Sequence, residues 1–368
     1  RMVAGEWDPG SRLPTRNQLI RQLDTSALTL QRAMDRLQQE GFTVSQGSRG
    51  TFVAKSPPFL HRYALCLLNP VQHERIAYPF LASLATEAGQ FFQSGPSRIR
   101  VYDRLLEGGE NLQRLVKDAQ AHRIAGMIFT FNPVGVFGDL DERFGGVPGV
   151  VINDTVLEGR SVPIVYPDLG DFFQKAFARL RELSCRRVAL ITGWPPEPSQ
   201  MDQLHREFQR GGFEAHPALM QFCGYSLPRA SRNIAHLLTR LPADTRPDAL
   251  IIHDELFVPN VLRGLHDGGV IIGDDMDVVA HANLPMQQRD IDPVIRLGFS
   301  TREILAACIN CIDRARRDQP VPEFTKVPAQ FAPASEPVRE GGRSYADILE
   351  RAIAQLSRQG AENSAPLS

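Results

Sequence analysis

No apolar run in this chain of 368 residues reaches the about 18 needed to cross a bilayer, so no membrane-spanning helix is expected. Nor does a signal peptide open it. Cysteine is sparse: the five residues, Cys66, Cys185, Cys223, Cys308 and Cys311, are odd in number and scattered. That argues against a disulfide scaffold and predicts reduced thiols in a cytoplasmic protein. Cys308-x-x-Cys311 lies in an apolar helical pattern with no second ligand pair nearby, so core packing is expected there and no metal. Net charge is −1, and no overall basicity advertises a nucleic acid. The phosphate loop G-x-x-x-x-G-K-[ST], a G-x-G-x-x-G after a strand and the zinc motif H-E-x-x-H are all missing. Gly47-Ser48-Arg49-Gly50 is like a nucleophile elbow only superficially. These absences predict a protein that is not an enzyme, with no catalytic residues and no cofactor.

What is present is ordinary for a globular chain, 42% hydrophobic and 23% charged, with a length that fits two or three domains. The charge is uneven. Residues 1–55 hold eight Lys/Arg against five acids, a local +3 that leaves −4 elsewhere. Within them, residues 13–53 carry a distinct pattern. Thr15, just after Pro14, caps a predicted helix over 16–23, and a break at Asp24-Thr25 precedes a second helix from Ser26 to about Gln39, stopped by Gly41. Leu30, Ala33, Met34 and Leu37 recur at helical spacing and form its expected buried face. Ala27, Leu28, Thr29, Gln31, Arg32 and Asp35 occupy the opposite face. Residues 42–44 and 51–53 alternate as strands around the glycine-rich tip 46–50. Two helices meeting through a tight turn present the second to a DNA major groove, and a hairpin tip with Arg49 reaches the minor groove or the phosphates.

This pattern, LP, then TS..TLQRAM..L..EGF, then G..GTFV, resembles the winged helix of the GntR family of bacterial transcription regulators over about the first 55 residues. The resemblance implies binding of double-stranded operator DNA through Arg16, Asn17, Ser26, Ala27, Thr29, Gln31 and Arg32, with Gln46, Gly47 and Arg49 on the wing. Many relatives carry arginine where this chain has Asn17, Ala27 and Gln31. Asn and Gln pair best with adenine and Arg with guanine, so a different base readout is expected. The family's first helix precedes residue 1, and the chain is expected to start inside that domain. Some GntR regulators carry a pyridoxal-phosphate domain, but the four lysines, Lys55, Lys117, Lys175 and Lys326, are not placed for a Schiff base.

A stiff linker is expected over 56–62, where Pro57-Pro58 favours extended chain. Strands are then predicted over 63–68, 99–103, 126–131, 150–153, 164–166, 187–192, 219–222, 249–253 and 278–280. Helices are predicted over 79–93, 111–122, 171–183, 201–210, 229–241, 258–266 and 297–316. Repeated strand–helix units argue for parallel sheets, and the near-repeat around residue 168 argues for two lobes. The segments AHRIAGMIFTF, GVPGVVINDTV, SCRRVALITG and RPDALIIHDELFVPNVLRGLHDGGVIIGDDMDVVAHAN resemble, in order and spacing, the effector domain of LacI-type repressors, itself like periplasmic binding proteins. The match covers 63–333. The expected fold is thus α/β, a winged helix-turn-helix followed by a two-lobed, parallel-sheet effector domain, an arrangement resembling the arabinose-repressor subgroup. In the tail, 334–368, Ser344 and Asp347 make a capping box before a stripe of Tyr345, Ile348, Leu349, Ala352, Ile353 and Leu356, expected to pack on the effector domain or pair with another subunit.

In open α/β sheets ligands bind beyond the carboxyl ends of the strands. The loops expected there supply Asn69, Asn132, Asp154, Trp194, Asp254 and Asn283 as effector-binding residues, with Phe80 as a ring. Gln200 stands where LacI relatives place an arginine. Asp168 is read as a helix cap, and Asn132, Asp154, Trp194 and Asp254 are expected to face one another across the hinge. The reading is a repressor that binds an inverted repeat as a homodimer and answers to a small metabolite, a sugar by resemblance. Two alternatives stay open: a degenerate cleft serving as dimerisation or protein-interaction scaffold, and a solute-binding transport protein.

Overall fold

The computed structural model describes residues 1–68, 72–73, 76–77, 79–90, 97–107, 109–153, 162–193, 198–225, 227–285 and 293–333. Its N-terminal part starts from a reciprocal cap. The Thr15 side chain accepts the Gln18 amide while the Gln18 side chain accepts the Thr15 amide, and α1 (Arg16–Leu23) follows. Ser26 accepts the Thr29 amide at 3.1 Å to start α2 (Ala27–Glu40), which ends at Gly41 in the left-handed conformation. β1 (Thr43–Ser45) and β2 (Thr51–Val53) pair antiparallel around a single 3-10 turn, Gly47–Arg49. Residues 11–13 lie along β2 as well, with the Leu13 amide on the Thr51 carbonyl and the Val53 amide on the Ser11 carbonyl. Leu13, Leu19, Leu30, Phe42 and Val53 form the small core. The apolar stripe of α2 is narrower than its sequence predicts: Ala33 is exposed and Met34 and Leu37 are half-buried. Among the described elements, α1 and β1 pack most closely against α2.

The expected extended linker is instead a helical turn, α3 (Pro58–His61), with Pro57 and Pro58 buried and Phe59 stacked on Phe42 at 6.2 Å. Proline fixes φ at a value suited to the first helical position, and burial of the rings selects that geometry over extended chain.

From there the chain builds two lobes, in the order β3 (Arg62–Cys66), β4 (Gln72–His73), β5 (Ile76–Ala77), α4 (Pro79–Gln90), β6 (Arg98–Tyr102), α5 (Glu110–Gln120), β7 (Gly126–Phe129), α6 (Pro133–Phe137), α7 (Leu140–Phe144), β8 (Gly149–Ile152) and β9 (Ile164–Pro167). α8 (Leu169–Glu182) then enters the second lobe, followed by β10 (Val188–Thr192), α9 (Pro198–Gly211), β11 (Met220–Phe222), α10 (Ala230–Thr239), β12 (Ala249–Ile252), α11 (Val258–Asp267), β13 (Asp277–Leu284) and β14 (Ile295–Ser300). α12 (Thr301–Ala315) and β15 (Phe324–Val327) return to the first lobe, and β16 (Gln330–Phe331) crosses back again. The first sheet runs β15-β9-β8-β7-β3-β6, parallel throughout. The second runs β11-β10-β12-β13-β14-β16, parallel except for β16. One core, with Tyr63, Val150, Phe172, Phe208, Val279 and Ile312, passes through both lobes.

The predicted helix over 297–316 begins with β14, and its first four residues are strand. A strand buried on both faces reads as an apolar run continuous with the helix after it. The boundary is Ser300, whose hydroxyl accepts the Glu303 amide at 3.2 Å. β13 is eight residues long rather than the predicted three, because His281 and Asn283 continue its pairing with β14. The helices α6 and α7 and the strand β16 had no counterpart in the sequence reading. Asp168 does cap α8, accepting the Asp171 amide at 3.4 Å. Cys308 and Cys311 are both buried on α12. The tail stripe, Asn69, Asp154 and Trp194 lie outside the described residues.

Candidate DNA-binding face and interlobe cleft

α2 presents its N-terminal turn outward: Ser26, Ala27, Leu28 and Thr29 are exposed, as are Arg16 and Asn17 at the start of α1. Ser26 and Thr29 are also joined to each other, hydroxyl to hydroxyl at 2.9 Å, so the cap rigidifies this turn. Arg32 is exposed; Gln31 is half-buried and donates to Asp35 Oδ1 at 2.6 Å. On the wing, Gln46, Gly47 and Arg49 are exposed. Gly50 has φ +105°, and a Cβ there would come within 3.0 Å of the Arg12 guanidinium. Arg12, bridged to Phe52 of β2, therefore stands beside Arg49 at the wing. Sequence reading passed over Arg12, because the edge pairing of residues 11–13 leaves no periodic signal.

At the carboxyl ends of the second sheet, β12 delivers His253, Asp254 and Glu255, and β13 delivers His281 and Asn283. Asp254 Oδ1 accepts the Leu256 amide at 2.8 Å, and its carboxylate also meets Tyr225. Burial pushes the Asp254 carboxyl above its ordinary range. Tyr225 packs over Gly193 so closely that any Cβ at position 193 would clash with the hydroxyl end of its ring. Asp254 thus shares an end of the lobe with the loop that Gly193 opens. Glu255 is 1% exposed, and its Oε2 accepts both the backbone and the side-chain amide of Asn283, at 3.1 and 2.7 Å. Burial pushes its carboxyl up to about 7, against the nearby Arg296 charge and these hydrogen bonds.

His253 stacks on Phe173 at 5.2 Å and meets Thr192 Oγ1 at 2.9 Å. His281 lies 5.9 Å from Phe172 and 5.7 Å from Phe299. Burial pulls the first down to about 4 and the second to about 3, the latter helped by the His253 and Arg296 charges. His253 Nε2, His281 Nδ1, Glu255 Oε1 and Asn283 Oδ1 are buried without a hydrogen bond.

The first lobe meets this site through α4. Ser83 donates toward the Asn283 carbonyl at 3.4 Å and lies 3.0 Å from Thr301, whose hydroxyl donates to the Leu284 carbonyl at 2.9 Å. Phe80, on the first turn of α4, packs half-buried against the shared core. Asn132, exposed at the carboxyl end of β7, caps α6 by accepting the Gly135 amide at 3.3 Å. Gln200 is on the first turn of α9, and its side chain lies outside what is described. Asp254, two residues beyond β12, and Asn283, buried within β13 rather than in the expected loop, therefore lie at the same end of the second sheet, with Asn132 on the other lobe. Glu255, expected with Asp254 in the loop after the strand, is instead buried against Asn283, and His253 beside it was not chosen from sequence, because it reads as the last residue of the strand.

Residues 1–53 match the gntR family of bacterial regulatory proteins, and residues 177–325 match the periplasmic binding protein-like domain. No curated protein matches the chain. Among solved structures, a regulatory protein of the LacI family from Chloroflexus aggregans is 16% identical, with a TM-score of 0.55 over 73% of this chain and 96% of that one. The Escherichia coli transcriptional repressor ascG is 14% identical, with a TM-score of 0.54 over 74% and 97%. A LacI family regulator from Lactobacillus casei with bound glucose is 15% identical, with a TM-score of 0.51 over 74% and 98%. At such identities the likeness is one of fold. The chain therefore joins a GntR-type DNA-binding domain to a periplasmic-binding-protein-like domain folded as in LacI-family regulators, and it is a ligand-responsive DNA-binding regulator.

Proposed function

We propose that this regulator is a cytoplasmic homodimeric repressor whose grip on an inverted-repeat operator is changed by a polyhydroxylated metabolite held between the lobes. DNA contacts are assigned to Arg16, Asn17, Ser26, Ala27, Thr29, Gln31 and Arg32, and to Arg12, Gln46, Gly47 and Arg49 at the wing. The effector site is assigned to Asn69, Phe80, Asn132, Asp154, Trp194, Gln200, Asp254 and Asn283. The observation that carries the reading is the convergence of polar groups at the carboxyl ends of β12 and β13, next to the α4 contact from the other lobe. The bound glucose named for the Lactobacillus casei relative supports a sugar. A thermal-shift screen of the full chain against sugars and nucleosides tests it, followed by operator release with each hit. A compound that raises the melting temperature and alters DNA affinity is expected.

One observation favours a second reading, a cleft that serves as scaffold only. The described polar side chains there are turned to internal partners, Asp254 to Leu256 and Asn283 to Glu255. A screen with no stabilising compound, together with unimpaired operator binding, selects that reading.

A further inference from the structure

The DNA-binding domain is not carried by the α3 segment alone. Arg123, between α5 and β7, donates from Nη2 to Glu40 Oε1 at 2.6 Å and from Nη1 to Asp118 Oδ1 at 3.1 Å. Glu40 is the last residue of α2, and its Oε1 also accepts Arg36 Nε at 2.8 Å. Asp118, on α5, is held in turn by the Tyr102 hydroxyl at 2.7 Å and has Arg100 at 3.7 Å. The three linked side chains are shielded: Arg123 is 16% exposed, Asp118 12% and Glu40 22%. Burial works to raise the Glu40 carboxyl, but the bonds and charges of Arg123 and Arg36 outweigh it and leave Glu40 below the usual range. A planar guanidinium is suited to bridging two carboxylates at once, whereas an ammonium offers one point charge.

The bridge is reinforced on both sides. Gly41 turns the chain immediately after Glu40 and lies against the Arg62 side chain, while Phe42 stacks on Phe59. At the far end of α5, Asn111 Nδ2 donates to the carbonyl and to Oδ1 of Asp103, both at 3.1 Å, beyond the carboxyl end of β6. α5 thus reaches from the cleft edge of the first lobe to the foot of α2, about 16 Å for eleven residues.

We propose that Arg123 is a positioning residue for the recognition helix: it clamps α2 to α5, so that the spacing of two recognition helices is set by the first lobe rather than by the connecting segment. The proposal rests on the reading of α2 as the DNA-reading helix of a dimer. An Arg123→Ala chain should then bind a single half-site as the parent does while losing its preference among half-site spacings.

The test uses the full chain, Arg123→Ala, Glu40→Gln, the double variant and Arg123→Lys. Duplexes carry the half-site that the parent chain selects from a random library, repeated with spacers of graded length. The parent is expected to prefer one spacer by at least about tenfold, each single variant to accept several, and the double to be no worse than either single. Arg123→Lys should recover part of the preference. A single-spacer preference kept in both single variants overturns the proposal. If the parent itself shows no spacer preference, the dimer reading fails, and hydrogen exchange without DNA decides the clamp. Amides of Gly41 and Phe42 should exchange about tenfold faster in Arg123→Ala, and unchanged exchange overturns it.

Discussion

Glu255 keeps a proton in the folded chain to about pH 7, whereas an unfolded glutamate releases it near 4.5. Between those values the folded state binds more protons, so this group makes stability fall as pH rises. His253 and His281 act the other way. Their folded values, about 4 and about 3, lie below the ordinary 6.5, so the unfolded chain gains protons first and stability falls as pH drops below 6.5. Glu255 faces Arg296, Asp254 and the Asn283 amides, and a glutamine there keeps an acceptor for Asn283. In Glu255→Gln the melting temperature should climb steadily from pH 4.5 to 7, where the parent stays flatter; the removed contribution is up to about 3 kcal/mol. Identical melting profiles for the two chains would contradict this. Asp254 is a second case. As an effector ligand, Asp254→Ala abolishes effector-dependent release from operator at the cost of about 1 kcal/mol for the lost Leu256 bond. As a turn-former alone, it lowers the melting temperature and leaves the response unchanged.

At the scale of elements, the winged helix was legible because each boundary is made by a local side chain. Thr15, Ser26 and Gly41 are signals a sequence carries openly. β14 was misread for the converse reason: Leu297 and Phe299 are buried on a strand whose one glycine, Gly298, lies inside it and not at its end, and only Ser300 marks the change to α12. The sites were less legible than the elements. Nothing local in the sequence links Glu40 to Arg123, or Asn283 to Glu255; the first pairing comes from the contact of α2 with the first lobe, the second from the adjacency of β12 and β13. For the wing, Arg12→Ala and Arg49→Ala should each weaken operator binding and lessen the slope of log K against log salt by about 0.9, read by titration over a salt series. An unaltered slope in both removes the wing from the phosphate backbone. Gln31→Ala should lose about 1–3 kcal/mol at one base pair and leave nonspecific binding intact. Since Gln31 donates to Asp35 in the free chain, Asp35→Ala should strengthen rather than weaken that readout.

For the whole molecule, two sheets share one apolar core and touch through α4, so lobe movement must repack the Ser83–Thr301–Leu284 contact. A ligand that favours the closed pair stabilises the chain by about 2.7 kcal/mol at a hundred times its Kd. Ser83→Ala should loosen that contact, and ligand-induced change in the radius of gyration, read by small-angle scattering, should alter in size. If scattering is the same for parent and variant with and without ligand, α4 does not gate the lobes. The two-lobed plan was legible from the repeated strand–helix rhythm, but the return of α12 and β15 was not, since it depends on which sheet edge is left open.

That return imposes an order on manufacture. β15 completes the first sheet beside β9, and α12 covers the face carrying Tyr63, Ile128, Val150 and Val165, yet both are synthesised after β13 and β14. A ribosome adding about 5–20 residues per second takes on the order of ten seconds to travel from β9 to β15. Through that interval the face lacks the cover of α12, and α4, made earlier, is packed on the same core without it. A chain assembled this way completes its oldest lobe last, so a chain that ends before α12 should leave this face part-covered and lose solubility, read as the soluble fraction on expression.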